Sequence, residues 1–161
     1  MARVVQIYLR PSSRTPVRAV SSAHAVAGKG LRGDHAGGGY RQVTLIEKEA
    51  WLAACAELNK DLDAGARRAN VVVEGISLAA AIGHSIQVGE CVIEVTGETR
   101  PCKLMEDAAA GLQNALSPDC RGGVFGKIVE GGAIRVGDEV KAMADTSSRA
   151  RVGRADSNLP Q

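Results

Sequence analysis

The stretch Arg100-Pro101-Cys102-Lys103 sets one thiol between two cations, just ahead of a helical pattern. Arg100, Lys103 and a helix start are the surroundings that favour thiolate character. A thiolate in such a place has three chemical uses: nucleophile, sulfur carrier, or soft ligand for a transition metal. The residue types alone leave these three open. The other thiols differ. Cys55 on an alanine-rich helix and Cys91 beside Ile93 and Val95 read as small core residues, and Cys120 falls in a loop before Arg121-Gly122-Gly123. None of the four shows CxxC or zinc-finger spacing, and a reducing compartment argues against disulfides.

Two further stretches carry chemistry. Arg67-Arg68-Ala69-Asn70 precedes a β-branched run, where a guanidinium and an amide at a strand mouth suit a phosphate. Gly28-Lys29-Gly30-Leu31-Arg32-Gly33 matches GxGxxG, but Asp34, His35 and three more glycines follow where a dinucleotide fingerprint needs a helix. The segment therefore reads as a surface loop or as an anion-binding nest, with Lys29, Arg32 and Arg41 close by. His24, His35 and His84 sit in no metal-ligand spacing, and only His35 is close to a candidate site.

The elements that must position these residues are mostly short strands. Arg3 to Leu9 alternates in part, with Val5, Ile7 and Leu9 on one face. Val17 to Val26 is a weaker β candidate. QVTLI (42–46) enters a helix over Glu47 to Leu58, NVVVEGI is a strand, and SLAAAIG is a turn or helical stub. SIQVGECVIEVTG is a hairpin about Val88-Gly89-Glu90. A second helix is expected from about Pro101 to Leu116, and three strands follow in GGVFGKIVEGGAIRVGDEVKAM. Short strands with frequent turn glycines and about two helices point to a mainly β protein, a closed or nearly closed barrel.

At 161 residues the chain is expected to form one domain over 1–145 and a disordered tail over 146–161. That tail holds three of the 20 basic and one of the 18 acidic residues, so the remainder is formally neutral. No basic footprint for nucleic acid is left, and four aromatic residues cannot supply a stacking platform. The longest N-terminal apolar run, VVQIYL, is too short for a signal peptide or a membrane span, and the expected location is the cytoplasm.

GLRGDH, RQVTLIEKEAW, ARRANVVVEGISL, VTGETRPCKLME and RGGVFGKIVEGGAIRVGDEV, in this order over about residues 28 to 142, resemble the MOSC domain family, named for the C-terminal region of molybdenum cofactor sulfurases. The resemblance implies a Greek-key-like barrel similar to that of pyruvate kinase and a pocket for the molybdenum cofactor, a pterin dithiolene with a phosphate. It maps the family's cysteine onto Cys102 as molybdenum ligand. It places Arg41, Arg68, Asn70, Arg100, Lys103, Gly33, Asp34, His35, Gly122 and Gly123 around the cofactor. The chain departs from many relatives in passing directly from Asp34 to His35.

The activity implied is reduction of N-hydroxylated compounds, with electrons from a separate donor protein, because the chain carries no flavin, haem or iron–sulfur signature. The alternatives are a non-catalytic carrier of sulfur as a Cys102 persulfide, and a plain binding barrel whose glycine loop holds an anion. Pyridoxal phosphate would be inherited only from the full-length sulfurases, since no lysine here has a fitting context.

Overall fold

A computed structural model describes residues 2–13, 15–35 and 38–143. The expected tail over 146–161 and the domain limit at 145 lie outside the described residues.

The first strand, β1 (Arg3–Leu9), pairs antiparallel with β2 (Arg18–Val20), and β3 (Ser22–Val26) and the two-residue β4 (Gly30–Leu31) follow. β5 (Val43–Glu47) runs into α1 (Lys48–Leu58), which ends at Asn59 in the left-handed conformation. A 3₁₀ turn over Ala64–Arg67 leads to β6 (Val71–Glu74) and the one-turn α2 (Leu78–Ala81), capped by Ser77 Oγ accepting from Ala80 N. The hairpin β7 (Ser85–Val88) and β8 (Cys91–Glu98) precedes α3 (Lys103–Ala108) and α4 (Leu112–Ala115). β9 (Val124–Glu130), β10 (Gly132–Arg135) and β11 (Val140–Ala142) complete the described chain.

Eight strands form one mixed sheet in the order β11-β7-β8-β9-β5-β6-β1-β2, in which only β5 and β6 run parallel. β10, β3 and β4 form a second sheet. The strand ladder of the large sheet is open between β11 and β2. The chain entering β11 nonetheless meets β1, through an Arg3–Glu139 bridge and the bonds Val4 N to Asp138 O (2.8 Å) and Gly137 N to Val4 O (2.8 Å).

Both faces of the sheet are covered, which explains why β5 and β6 read as unbroken apolar runs. Leu45, Val71, Val73, Ile86 and Ile93 face an inner core. Ile46 and Val72 face outward onto Trp51, Cys55, Met105, Leu112 and Leu116 of the helices. β1 does not keep the expected alternation. A register shift between Val4 and Gln6 puts Val4, Ile7 and Leu9 inward and turns Val5 to the helices.

The second expected helix is broken. Ala109 is extended and Gly111 sits at φ +87°, so the chain stops after α3 and restarts as α4. A Cβ on Gly111 would lie 2.8 Å from Leu58 Cδ2. The close approach to α1 therefore fixes a glycine in the middle of what reads as one helical stretch. Among the described residues, four α-helices stand where two were expected.

Candidate functional site

The Cys102 thiol opens onto a cavity of about 180 Å³ lined by five arginines, Arg10, Arg41, Arg67, Arg68 and Arg100, with Thr44, Ala69, Thr99, Leu104 and Gly122. Cys102 is exposed, with extended backbone at the N-cap position of α3; its carbonyl accepts from Met105 N at 2.9 Å. Because α3 has only six residues, the helix-dipole part of the expectation for Cys102 loses most of its force. The positive charge around the thiol comes from the arginines of the lining.

These arginines come from four places in the chain: after β1, before β5, at the 3₁₀ turn and after β8. Arg10 follows β1 and is clamped by Asp34: Arg10 N and Nε donate to Oδ1 at 2.7 and 3.2 Å, and Nη2 donates to Oδ2 at 2.9 Å. The Asp34 side chain is 1% exposed. Its burial pushes the carboxyl upward, but the hydrogen bonds and charge of Arg10, helped by Asn70, hold it below the ordinary carboxylate value. Asn70, fully buried, ties this pair to the sheet. Its Oδ1 accepts from Thr44 N, Thr44 Oγ1 and Arg10 Nη2, and its Nδ2 donates to Tyr8 O and Asp34 Oδ1.

Arg67 and Arg68 are separated by backbone geometry. Arg67 closes the 3₁₀ turn and Arg68 takes φ +65°, an uncommon conformation for a non-glycine residue, which sends the two side chains different ways. Arg68 donates to the carbonyls of Thr15 (2.6 Å) and Ser12 (3.0 Å). Arg67, 8% exposed, donates from Nε to Gly122 O (2.9 Å) and from Nη2 to Thr99 O (3.0 Å). Burial pulls its pKa below the ordinary value, whereas negative charge at Cys102 acts to raise it. Arg41 lies 4.8 Å from the centroid of the Phe125 ring, which Tyr40 also contacts.

The loop after α4 completes the wall. Asp119 and Cys120 both take positive φ, bringing Gly122 under Thr99 so closely that a Cβ there would lie 2.5 Å from Thr99 O. Burial pushes the Cys120 thiol up to about 11 and the Cys91 thiol to about 12. Cys55 is also buried, and all four cysteines are free, so Cys102 is the one exposed thiol among the described residues.

Of the residues expected around Cys102, Arg41, Arg68, Arg100 and Gly122 line its cavity. Asn70 and Asp34 act one step back, through Arg10. Lys103 is exposed on α3 and lies outside the lining, as does Gly123, packed on the Leu45 carbonyl. Gly33, Asp34 and His35 line a separate open groove of about 460 Å³ with Lys29, Gly30 and Arg32, so the glycine loop does not face Cys102. Among its described residues, the N–H groups of Gly28, Lys29, Arg32, Asp34, His35 and Gly38 donate to carbonyls and are not presented as an amide nest.

The sequence does not mark Arg10, Thr44, Thr99 or Leu104 as site residues, and it marks Arg67 only within the stretch 67–70 that suits a phosphate. Arg67 sat beside the chosen Arg68, but only the turn geometry tells which guanidinium goes inward. Arg10 carried a weak signal, a cation at the end of a buried strand.

A MOSC domain model matches residues 32–141, and the chain belongs to the MOSC domain family. Membership implies a function related to the molybdenum cofactor, which MOSC domains in general are associated with binding. Among solved structures, the fold is similar to the YUAD protein from Bacillus subtilis, with 17% identity, 89% of this chain and 98% of that chain covered, and a TM-score of 0.71. It is also similar to YiiM from Geobacillus stearothermophilus (12% identity, 99% and 87% covered, TM-score 0.72). YiiM from Escherichia coli gives 17% identity, 88% and 70% coverage and a TM-score of 0.68. At these identities the likeness speaks for the fold alone. No curated protein matches the chain. Among the described residues no helix is long and apolar enough to cross a membrane.

Proposed function

We propose that the chain binds the molybdenum cofactor at the Cys102 cavity, with Cys102 Sγ as the protein's ligand to the metal, and acts in the reduction of N-hydroxylated compounds. The observation that carries this reading is one exposed thiol on a cavity whose lining holds five arginines and no carboxylate. Those donors suit the group: a soft thiolate for molybdenum and guanidinium forks for a phosphate. The buried hydroxyl of Thr99, unpartnered within the described protein, points the same way. No cluster of three or more His, Cys, Asp or Glu side chains among the described residues could hold a metal ion, so Cys102 would be its single protein ligand.

A cavity of about 180 Å³ lies below the roughly 300 Å³ at which ligand pockets usually begin. It therefore takes one end of the cofactor, and the rest would run along the adjoining groove, which shares Arg68 and Leu104. When bound, the cofactor would supply two-electron chemistry at the metal. The residues of the chain do the remainder. Arg67 and Arg68, fixed on carbonyls, are pre-oriented cations; Arg41 and Arg100 add positive charge to the lining, and Leu104 gives it an apolar edge. The net reaction converts R–NHOH, two electrons and two protons to R–NH₂ and water, and the electrons come from a separate redox protein. We take the contact of β1 with the chain entering β11 as a barrel-like closure.

Turnover of an N-hydroxylated amidine with a chemically reduced viologen donor tests the catalytic half. Protein loaded with molybdenum is expected to form the amidine, and Cys102→Ala is expected to lose at least about 100-fold. Equal rates for the two would rule the reading out. The exposure of Cys102 also favours a second reading, in which its thiolate takes a sulfane sulfur from a desulfurase persulfide and passes it on. Intact mass after incubation with the desulfurase separates the two: a gain of one sulfur on Cys102 without amidine formation selects the carrier.

A further inference from the structure

Two groups in the wall of the Cys102 cavity, a hydroxyl without a partner and a cation without a carboxylate, stand out for their burial. Thr99 is 7% exposed, and both of its backbone groups are engaged, N–H to Gly123 O at 2.8 Å and C=O from Arg67 Nη2 at 3.0 Å. Its Oγ1 is the buried side-chain polar atom without a partner among the described residues. Native interiors leave few such groups, and each calls for an explanation. Next to it, Arg67 is a buried cation whose two hydrogen bonds go to neutral carbonyls, Gly122 O and Thr99 O. Buried charges are ordinarily paired with opposite charge. Among the described residues, Arg10 is the cavity arginine with a carboxylate partner, Asp34. One hydroxyl without an acceptor and one buried cation hydrogen-bonded only to neutral carbonyls thus fall on adjoining residues, facing one cavity too small for a large organic ligand.

We propose that Thr99 and Arg67 form the receptor for a tetrahedral oxyanion, with Thr99 Oγ1 donating to an anionic oxygen and Arg67 supplying the opposing charge. Thr99 is then a binding residue that reads the anionic end of the ligand. The proposal rests on the reading of the cavity given above, yet it concerns this chain's affinity for oxyanions with or without molybdenum. The absence of a Cβ at Gly122 is part of the receptor, because it lets the loop close on the Thr99 carbonyl and hold the hydroxyl in place. Phosphate and molybdate share the required chemistry, and they would represent the ester end of the cofactor and the metal oxyanion respectively.

Isothermal titration of the full chain with inorganic phosphate, and separately with molybdate, at low ionic strength tests the receptor. At least one anion is expected to bind wild type, with affinity kept within about threefold in Thr99→Ser and lowered at least about tenfold in Thr99→Val, the range for a hydrogen bond to a charged group. The anion that shows this dependence identifies the end of the ligand seated at Thr99. Unliganded Thr99→Val is expected to melt no lower than wild type, because no protein contact is removed; Thr99→Ala serves if the valine does not fold. The proposal is overturned if neither anion binds wild type, or if Thr99→Val binds as wild type does. Phosphate binding that depends on Thr99 in protein that never acquires molybdenum would sustain the receptor and remove the reading above, whereas molybdenum loading with anion binding indifferent to Thr99 would do the reverse.

Discussion

Arg67 Nη2 holds the Thr99 carbonyl at 3.0 Å, and Cys102 lies three residues further along the same segment. The chain carrying the thiol is thus anchored by a buried cation from a different part of the sequence. Arg67→Lys keeps the charge but cannot span both Thr99 O and Gly122 O with one fixed fork. We expect it to lower cofactor content about tenfold and stability by about 1 kcal/mol, the worth of one such bond. Metal analysis and urea denaturation of the same preparations check both.

Gly122→Ala is expected to act on the site more than on the fold. Its new Cβ would meet Thr99 O and Pro101 Cδ, the segment leading to Cys102, although the backbone there needs no positive φ. Gly123→Ala adds a φ of +95° and a clash with the Leu45 carbonyl of a central strand, so it is expected to cost about 3 kcal/mol or more. Comparing thermal melts with metal content separates the two outcomes: a loss of metal out of proportion to the loss of stability for Gly122, and a larger loss of stability for Gly123.

Asp34 sets a pH dependence. Its carboxyl is held below its ordinary value, so its contribution is full above the unfolded value, about pH 4, and is lost as pH falls through the lower folded value. Asp34→Asn leaves Arg10 without its buried partner and is expected to cost about 3 kcal/mol at pH 7. The gap between the variant and wild type in chemical denaturation should narrow toward pH 3. A gap that is constant with pH would contradict the assignment.

The cysteines are expected to react in a fixed order. Cys91 and Cys120, pushed up to about 12 and 11 by burial, and the buried Cys55 are shielded near neutral pH, whereas Cys102 is exposed. Substoichiometric iodoacetamide at pH 7.5 followed by peptide mass spectrometry should place the first label on Cys102, with Cys91 labelled only after denaturation.

Much of this arrangement was legible in the residues. NVVVEGI, SIQVGECVIEVTG and the last three strands announce themselves through β-branched runs and turn glycines, and Arg100, Cys102, Arg41 and Arg68 do share a cavity. What was not legible depended on tertiary contacts. Gly111 breaks a helical pattern because α1 packs against it, which no local period records. By composition the glycine loop reads as a surface loop or an anion nest, and what composition does not record is that amides such as Gly28 and His35 are taken by the carbonyls of Ile128 and Arg10. Arg67 and Arg68 are indistinguishable as letters, and a left-handed φ at Arg68 alone decides which is buried. Thr99 is an ordinary residue until its neighbours leave its hydroxyl without a partner.

The central claim is that Cys102 ligates molybdenum in a cavity built of arginines. Molybdenum content of the protein purified from a cofactor-competent host, measured by plasma mass spectrometry beside Cys102→Ala, tests it most directly. The account predicts close to one molybdenum per chain in wild type and at most a tenth of that in the variant. No molybdenum in wild type, or equal loading of the two, would contradict it.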